Sequence, residues 1–105
     1  MAHLGGDKLG LEHVEVMNVR SFLQLPLSKD KKDPIHVDTK EPHWVVLYYL
    51  VDSDGDTIIY NTDNTTVMER VTPKQGRVVI FDGKYYHTAE QPKDNVRCII
   101  NFNVR

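Results

Sequence analysis

The sequence predicts an all-β domain, an antiparallel sandwich or barrel. Its apolar segments are short, they are separated by regularly spaced turn signals, and none has the periodicity of a convincing amphipathic helix. A length of 105 residues suits one domain with a modest core, so residues 1–105 are taken as a single domain. Five or more short strands then favour two packed sheets or one closed sheet.

The composition favours a cytoplasmic protein whose partners are not selected by charge alone. The net charge is −2 and the basic residues are dispersed, so there is no basic stripe for nucleic acid or anionic lipid. A nucleic-acid substrate is not excluded, but no feature of the sequence supports one. The single cysteine, Cys98, cannot form an internal disulfide, which fits a reducing compartment. No apolar run approaches the ~20 residues of a membrane helix, and the first residues do not resemble a signal peptide.

The N-terminal third contains one predicted strand and one charged loop. Residues 1–10 are Gly-rich and are expected to fray. Residues 11–25 alternate apolar and polar in their first half, which favours a strand, with a helix as the alternative, and Pro26 ends this element. The charged segment 28–34 ends in a proline, which biases the following residues toward an extended chain.

The central segment 44–51 is apolar or aromatic throughout, which predicts a strand covered on both faces. Residues 52–56 form an acidic turn, and 57–60 are predicted to return from it as the second strand of a hairpin. An EF-hand calcium loop is disfavoured because position 63 is Asp and no helices flank the run. Further strands are predicted at 67–71, 77–81 and 96–104, with Trp44, Phe81 and Phe102 as core candidates.

His36 and Asp38 are the first candidates for chemistry. In an extended strand, side chains at i and i+2 leave from one face, so both can bind a single metal ion. His87, beyond the apolar run 78–81, is the candidate third ligand. Two histidines and a carboxylate form the facial triad of non-haem iron(II) sites. The segment His13–Glu15 has the same spacing, but it is interpreted as alternation along a solvated strand.

Arg97 opens the last predicted strand and shares one face of it with Ile99, Asn101 and Asn103. A guanidinium at the inner end of such a strand can bind a carboxylate in fork geometry, more directionally than a lysine does. The alternative is a solvated arginine that opens a hairpin strand. Tyr48 and Tyr49 lie on opposite faces of their strand, so only one of them can face the proposed metal.

The order of these motifs resembles the iron(II)- and 2-oxoglutarate-dependent dioxygenase superfamily, and the prolyl-4-hydroxylase-like branch most closely. The resemblance covers about residues 34–105. It is carried by the H-x-D segment 36–38, the L-Y-Y-L segment 47–50, the strand 76–81 ahead of His87, and Arg97. It implies a double-stranded β-helix, a jelly-roll or cupin-like barrel, here in a minimal version with little N-terminal helix.

The resemblance also implies roles for individual residues. His36, Asp38 and His87 would be the iron ligands at the catalytic centre, Arg97 and Tyr49 would bind the distal carboxylate of 2-oxoglutarate, and Asn101 would face this cosubstrate. The cofactors would be Fe(II), 2-oxoglutarate and O2, with ascorbate supporting activity. The reaction would hydroxylate a C–H bond and release succinate and CO2. Peptidyl prolyl or other side chains rank first as substrates, then a small metabolite, then a methylated base.

Two other functions remain open for the same fold. One is a non-catalytic jelly-roll binding module, and the other is a cupin-type metal protein, although the closer H-x-H pair typical of cupins is absent. The expected partner is a protein or small-molecule substrate and not a membrane. A second copy of the chain is expected to be able to cover an exposed sheet face, which would make a homo-oligomer.

Overall fold

The structure, a computed structural model, describes residues 15–26 and 34–105. These residues do not include the segment 1–10, which is expected to fray, or His13, or most of the charged loop 28–34. The described chain contains seven strands and no helix, so no helix there is long and apolar enough to cross a membrane. The strands are β1 Val16–Gln24, β2 Trp44–Tyr49, β3 Thr57–Tyr60, β4 Val67–Val71, β5 Val78–Asp82, β6 His87–Ala89 and β7 Arg97–Val104.

One sheet has four antiparallel strands in the order β1-β7-β2-β5. Strand β7 alternates as its sequence predicts, because Arg97, Ile99, Asn101 and Asn103 are buried on the inner face. The residues between them are only half-buried. The inner face of β7 therefore carries the polar groups of the last strand toward the second sheet.

The second sheet has three strands in the order β4-β3-β6. All four residues of β3 are buried, which suits a central strand. The predicted hairpin between the segments 44–51 and 57–60 is wrong, since β2 and β3 belong to different sheets. β2 is already paired with β5 on one side and β7 on the other, so the acidic turn leads the chain across to the other sheet.

The core lies between the two sheets and confirms the predicted antiparallel sandwich. It consists of Val45, Leu47, Tyr49, Ile59, Phe81 and Ile99. Phe81 is a core residue as predicted, but Trp44 is 44% exposed and Phe102 is half-buried. Both of these aromatic residues lie on the outer face of the four-stranded sheet. The expectation that the segment 44–51 is covered on both faces is therefore wrong at Trp44.

Candidate metal centre and its cavity

The H-x-D segment is attached to the edge of β6 through a two-residue bridge. The amide of His36 donates to the carbonyl of His87 at 3.1 Å, and the amide of His87 donates back to the carbonyl of His36 at 2.9 Å. This pairing brings the two imidazole centroids to 4.5 Å. One ligand-type atom from each of His36, Asp38 and His87 then lies within 4.8 Å of the other two. The backbone pairing thus assembles the predicted triad.

Asp38 divides its two carboxylate oxygens between the histidines and β7. Its Oδ1 lies 3.3 Å from Nε2 of His36 and 3.3 Å from Nε2 of His87. Its Oδ2 accepts a hydrogen bond from Nδ2 of Asn101 at 3.0 Å. Burial raises the pKa of Asp38, but the two imidazoles and the Asn101 amide lower it by a larger amount, so the net pKa lies well below its usual range. The group is therefore an ionised carboxylate at neutral pH.

The histidines present the nitrogens that a metal needs. Nδ1 of His36 lies 2.7 Å from the carbonyl oxygen of Pro34. Because a carbonyl can only accept, Nδ1 must carry a proton, so in the neutral imidazole Nε2 keeps its lone pair for a ligand. The His87 ring packs edge-on against Phe81, with centroids 5.3 Å apart, and its buried Nδ1 has no hydrogen-bond partner within the described residues. Two imidazole nitrogens and one carboxylate oxygen within 4.8 Å of one another suit iron(II).

Arg97 is buried at the other end of the β7 inner face, with 2% of its surface exposed. Its Nε donates to the carbonyl of Gly55 at 2.9 Å, Nη1 to Oε1 of Gln24 at 2.9 Å, and Nη2 to Oγ1 of Thr57 at 2.5 Å. These three hydrogen bonds fix the orientation of the guanidinium. A carboxylate bound here would gain charge-assisted hydrogen bonds in a water-poor site.

Tyr49 contacts this end of the site through Thr57. Its side chain is 0% exposed, and its hydroxyl donates to Oγ1 of Thr57 at 2.6 Å. Burial raises the pKa of Tyr49, so the hydroxyl remains a donor at neutral pH. Thr57 lines the cavity whereas Tyr49 does not. The direct contact expected between Tyr49 and the cosubstrate therefore stays a prediction, and the structure places Thr57 between this hydroxyl and the cavity.

A single cavity of about 560 Å³ connects the two ends of the site. A volume of this size is typical of small-molecule sites. The triad lies at one end and Arg97 at the other, with Leu47 and Ile99 among the apolar residues of the wall. Such a cavity can hold a molecule that chelates a metal with one end and presents a carboxylate to a guanidinium with the other.

Sequence reasoning missed the residues that hold Arg97 in place. Gln24 lies directly opposite Arg97 in the β1–β7 register, and Gly55 and Thr57 belong to the connection from β2 into β3. A Cβ atom at Gly55 would lie 2.7 Å from the carbonyl oxygen of Glu90 and 3.2 Å from Cδ of Arg97. Gly55 was visible in the sequence as part of an acidic turn. Its contact with Arg97 depends on the packing of two loops, for which the sequence carries no signal.

His43 is buried and does not belong to the His-Asp-His cluster. Its Nδ1 lies 2.7 Å from the carbonyl of Glu41, and its ring occupies the space where a Cβ of Gly83 would be. The acidic turn is also structural, because the carboxylate of Asp54 accepts the amides of Lys93, Asp94 and Asn95. These bonds tie the β2–β3 connection to the one that leads into β7.

Comparisons with known proteins agree with this geometry. Residues 22–105 match the family model of the 2OG-Fe(II) oxygenase superfamily. The fold is similar to the crystal structure of an oxidoreductase of the 2OG-Fe(II) oxygenase family from Burkholderia pseudomallei, with a TM-score of 0.77 and 16% sequence identity. That similarity covers 94% of this chain and 47% of the other, so the chain spans about half the length of that protein. No curated protein matches the sequence significantly.

The structural similarity confirms the predicted jelly-roll of two antiparallel sheets. The prolyl-4-hydroxylase-like branch stays a prediction. The family match spans most of the chain and includes every residue of the His-Asp-His cluster and Arg97. The chain belongs to the 2OG-Fe(II) oxygenase superfamily.

Proposed function

We propose that this chain is a dioxygenase that uses Fe(II), O2 and 2-oxoglutarate to hydroxylate a C–H bond of its substrate. Succinate and CO2 are the products formed from the 2-oxo acid. The observation that carries the proposal is that one cavity contains both the His36, Asp38 and His87 cluster and the guanidinium of Arg97. A metal site alone would fit many proteins, whereas a metal site facing a buried arginine suits a chelating 2-oxo acid.

Three residues would hold the metal. His36 and His87 supply Nε2 and Asp38 supplies Oδ1, which leaves the remaining positions of a six-coordinate ion open for small molecules. Iron(II) bound there would supply oxygen activation coupled to oxidative decarboxylation of 2-oxoglutarate. Pro34 and Asn101 act on the ligands, since Pro34 sets the tautomer of His36 and Asn101 holds the free oxygen of Asp38.

Arg97 would bind the distal carboxylate of 2-oxoglutarate, with Thr57 beside it. Thr57 Oγ1 accepts hydrogen bonds from Arg97 and from Tyr49, so its own proton is available to a further acceptor in the cavity. The apolar side chains of Leu47 and Ile99 keep this part of the wall dry, which strengthens the contact between the guanidinium and a carboxylate.

The substrates ranked by the motif resemblance are peptidyl side chains, with proline first, followed by small metabolites. The open cavity is compatible with a side chain or a small molecule entering beside the metal. Ascorbate would serve to keep the iron reduced.

Formation of succinate from 2-oxoglutarate tests the proposal without knowledge of the substrate. Protein supplied with Fe(II), 2-oxoglutarate, ascorbate and air is expected to form succinate slowly, and Asp38→Ala or His36→Ala should abolish this turnover. Glu69→Ala, on the exposed strand β4, is the matched control and should behave like the wild type. Tight binding of 2-oxoglutarate without any succinate would instead indicate a non-catalytic binding module.

A further inference from the structure

Strand β1 provides one wall of the cavity through three residues at alternate positions. Arg20, Phe22 and Gln24 all line the cavity, since they share the inner face of the strand. In the β1–β7 register, Gln24 lies opposite Arg97 and Arg20 lies opposite Asn101. Arg20 is therefore on the part of the wall nearest the residue that holds Asp38, away from the guanidinium of Arg97.

Arg20 has no ion pair or side-chain hydrogen bond with any of the residues that the structure describes. This distinguishes it from Arg70 and Arg105, which pair with Glu90 and with Glu15 and Glu41. It also differs from Arg97, whose guanidinium is fixed by three neutral acceptors. The charge on Arg20 thus faces the cavity without a counter-ion from the described protein.

The charges of the loaded cavity indicate what this arginine would attract. Among the described residues, the charged ones that line the cavity are Arg20, Asp38 and Arg97. In the proposed function, the metal and Arg97 bind the two carboxylates of 2-oxoglutarate, which leaves Arg20 for another group. Arg20 is an exposed residue of the cavity wall, so its positive charge is available to an anionic group that enters beside the metal.

We propose that Arg20 is a specificity-determining residue that selects a substrate carrying a carboxylate, and that it binds this carboxylate beside the metal. This inference rests on the proposed function, because it requires that 2-oxoglutarate occupies the Arg97 end. An arginine suits the role because its planar fork can bind both oxygens of a carboxylate. Phe22, its neighbour on the same face, offers an apolar surface for the carbon skeleton of the substrate.

The experiment compares a carboxylate probe with its neutral amide. Protein loaded with Mn(II) and saturating 2-oxoglutarate is titrated with 4-fluorobenzoate or 4-fluorobenzamide. The ¹⁹F relaxation caused by the bound Mn(II) reports how close each probe binds to the metal. The wild type is expected to bind the acid at least about 10-fold more tightly than the amide, close to the metal. Arg20→Gln should remove this preference, and Arg20→Lys should retain part of it.

Several results would overturn the inference. They are equal binding of acid and amide, no binding of the acid, a preference that persists in Arg20→Gln, or release of 2-oxoglutarate by the acid, which would place the probe at Arg97. A weaker affinity of Arg20→Gln for 2-oxoglutarate would make Arg20 a cosubstrate ligand instead. Wild-type protein that takes up neither Mn(II) nor 2-oxoglutarate would refute the proposed function itself, and this outcome is seen before any probe is added.

Discussion

Asn101 donates a hydrogen bond from Nδ2 to Oδ2 of Asp38 at 3.0 Å, joining residues that are 63 positions apart in the sequence. This bond occupies the carboxylate oxygen that does not face the histidines. The other oxygen, Oδ1, is thereby turned toward Nε2 of His36 and of His87. Asn101 is therefore a positioning residue for a metal ligand, a role different from the cosubstrate contact that the resemblance implies for it.

Asn101→Ala is expected to weaken metal binding by about 10- to 100-fold, because a ligating carboxylate loses the partner that orients it. Mn(II) affinity, measured by electron paramagnetic resonance titration, provides the readout. Asn103→Ala is the matched control, since Asn103 is buried on the same face of β7 and makes no hydrogen bond to a triad residue among those described. If Asn101→Ala bound Mn(II) as tightly as the wild type, the hydrogen bond from Asn101 would not be what positions the Asp38 carboxylate.

Thr57→Val is expected to raise the dissociation constant of 2-oxoglutarate about 10-fold, since Arg97 loses an acceptor and the cavity loses a hydroxyl. Tyr49→Phe should have a smaller effect, because Tyr49 acts through Thr57. The double variant should then bind 2-oxoglutarate as Thr57→Val does, which isothermal titration calorimetry can measure. Additive losses would instead mean that Tyr49 contacts the cosubstrate independently, as the motif resemblance implies.

Gly55→Ala is expected to lower both stability and 2-oxoglutarate affinity. The added Cβ would meet the carbonyl oxygen of Glu90 at 2.7 Å and Cδ of Arg97 at 3.2 Å, so the loop and the arginine must both shift. Destabilisation of about 1–3 kcal/mol is typical of such overpacking. Gly76→Ala is the control, because its φ of +83° disfavours alanine while its Cβ would meet open space away from Arg97. Urea unfolding and calorimetry should show lower stability in both variants, but lower affinity in Gly55→Ala only.

Asp63 provides a pH-dependent test of the β3–β4 turn. Its Oδ1 accepts the amides of Thr65 and Thr66, and its Oδ2 accepts the Thr66 hydroxyl. These bonds lower the pKa of Asp63 to about 2. Because the folded pKa is below the unfolded one, the turn is stabilised above the unfolded pKa of about 3.9, and this contribution is lost as the pH falls through about 2.

Carbon-detected NMR titration of the Asp63 carboxyl should give a midpoint near 2. Asp63→Ala should lower the free energy of unfolding at pH 7, and this effect should decrease as the pH falls toward about 2. An ordinary midpoint near 3.9 would contradict the hydrogen-bonded turn.

The sequence was sufficient to predict those parts of the site that depend on strand parity and motif order. His36, Asp38 and His87 converge, and Arg97 shares the inner face of β7 with Asn101, as alternation requires. His36 reaches the site through an isolated bridge to β6 and not within a strand of its own. Local extended geometry was enough to place it correctly.

The remaining features depend on packing between segments that are far apart in the sequence. The β2–β3 hairpin was wrongly predicted because a turn signal does not reveal that β2 already has partners on both edges. Gln24 could be assigned only from the β1–β7 register, and Thr57 only from its position across the sandwich from Arg97. Trp44 was misplaced because apolar composition does not distinguish the inner face of a sheet from its outer face.

The effect of a metal on 2-oxoglutarate affinity tests the central claim most directly, because the account requires one molecule to contact both the triad and Arg97. Calorimetric titration of 2-oxoglutarate into metal-free and Mn(II)-loaded protein should show an affinity at least about 10-fold higher with the metal. His87→Ala should abolish that increase, while Arg97→Gln should lower the affinity in both states. An identical affinity with and without Mn(II) would contradict the account, since the two ends of the cavity would then not share a ligand.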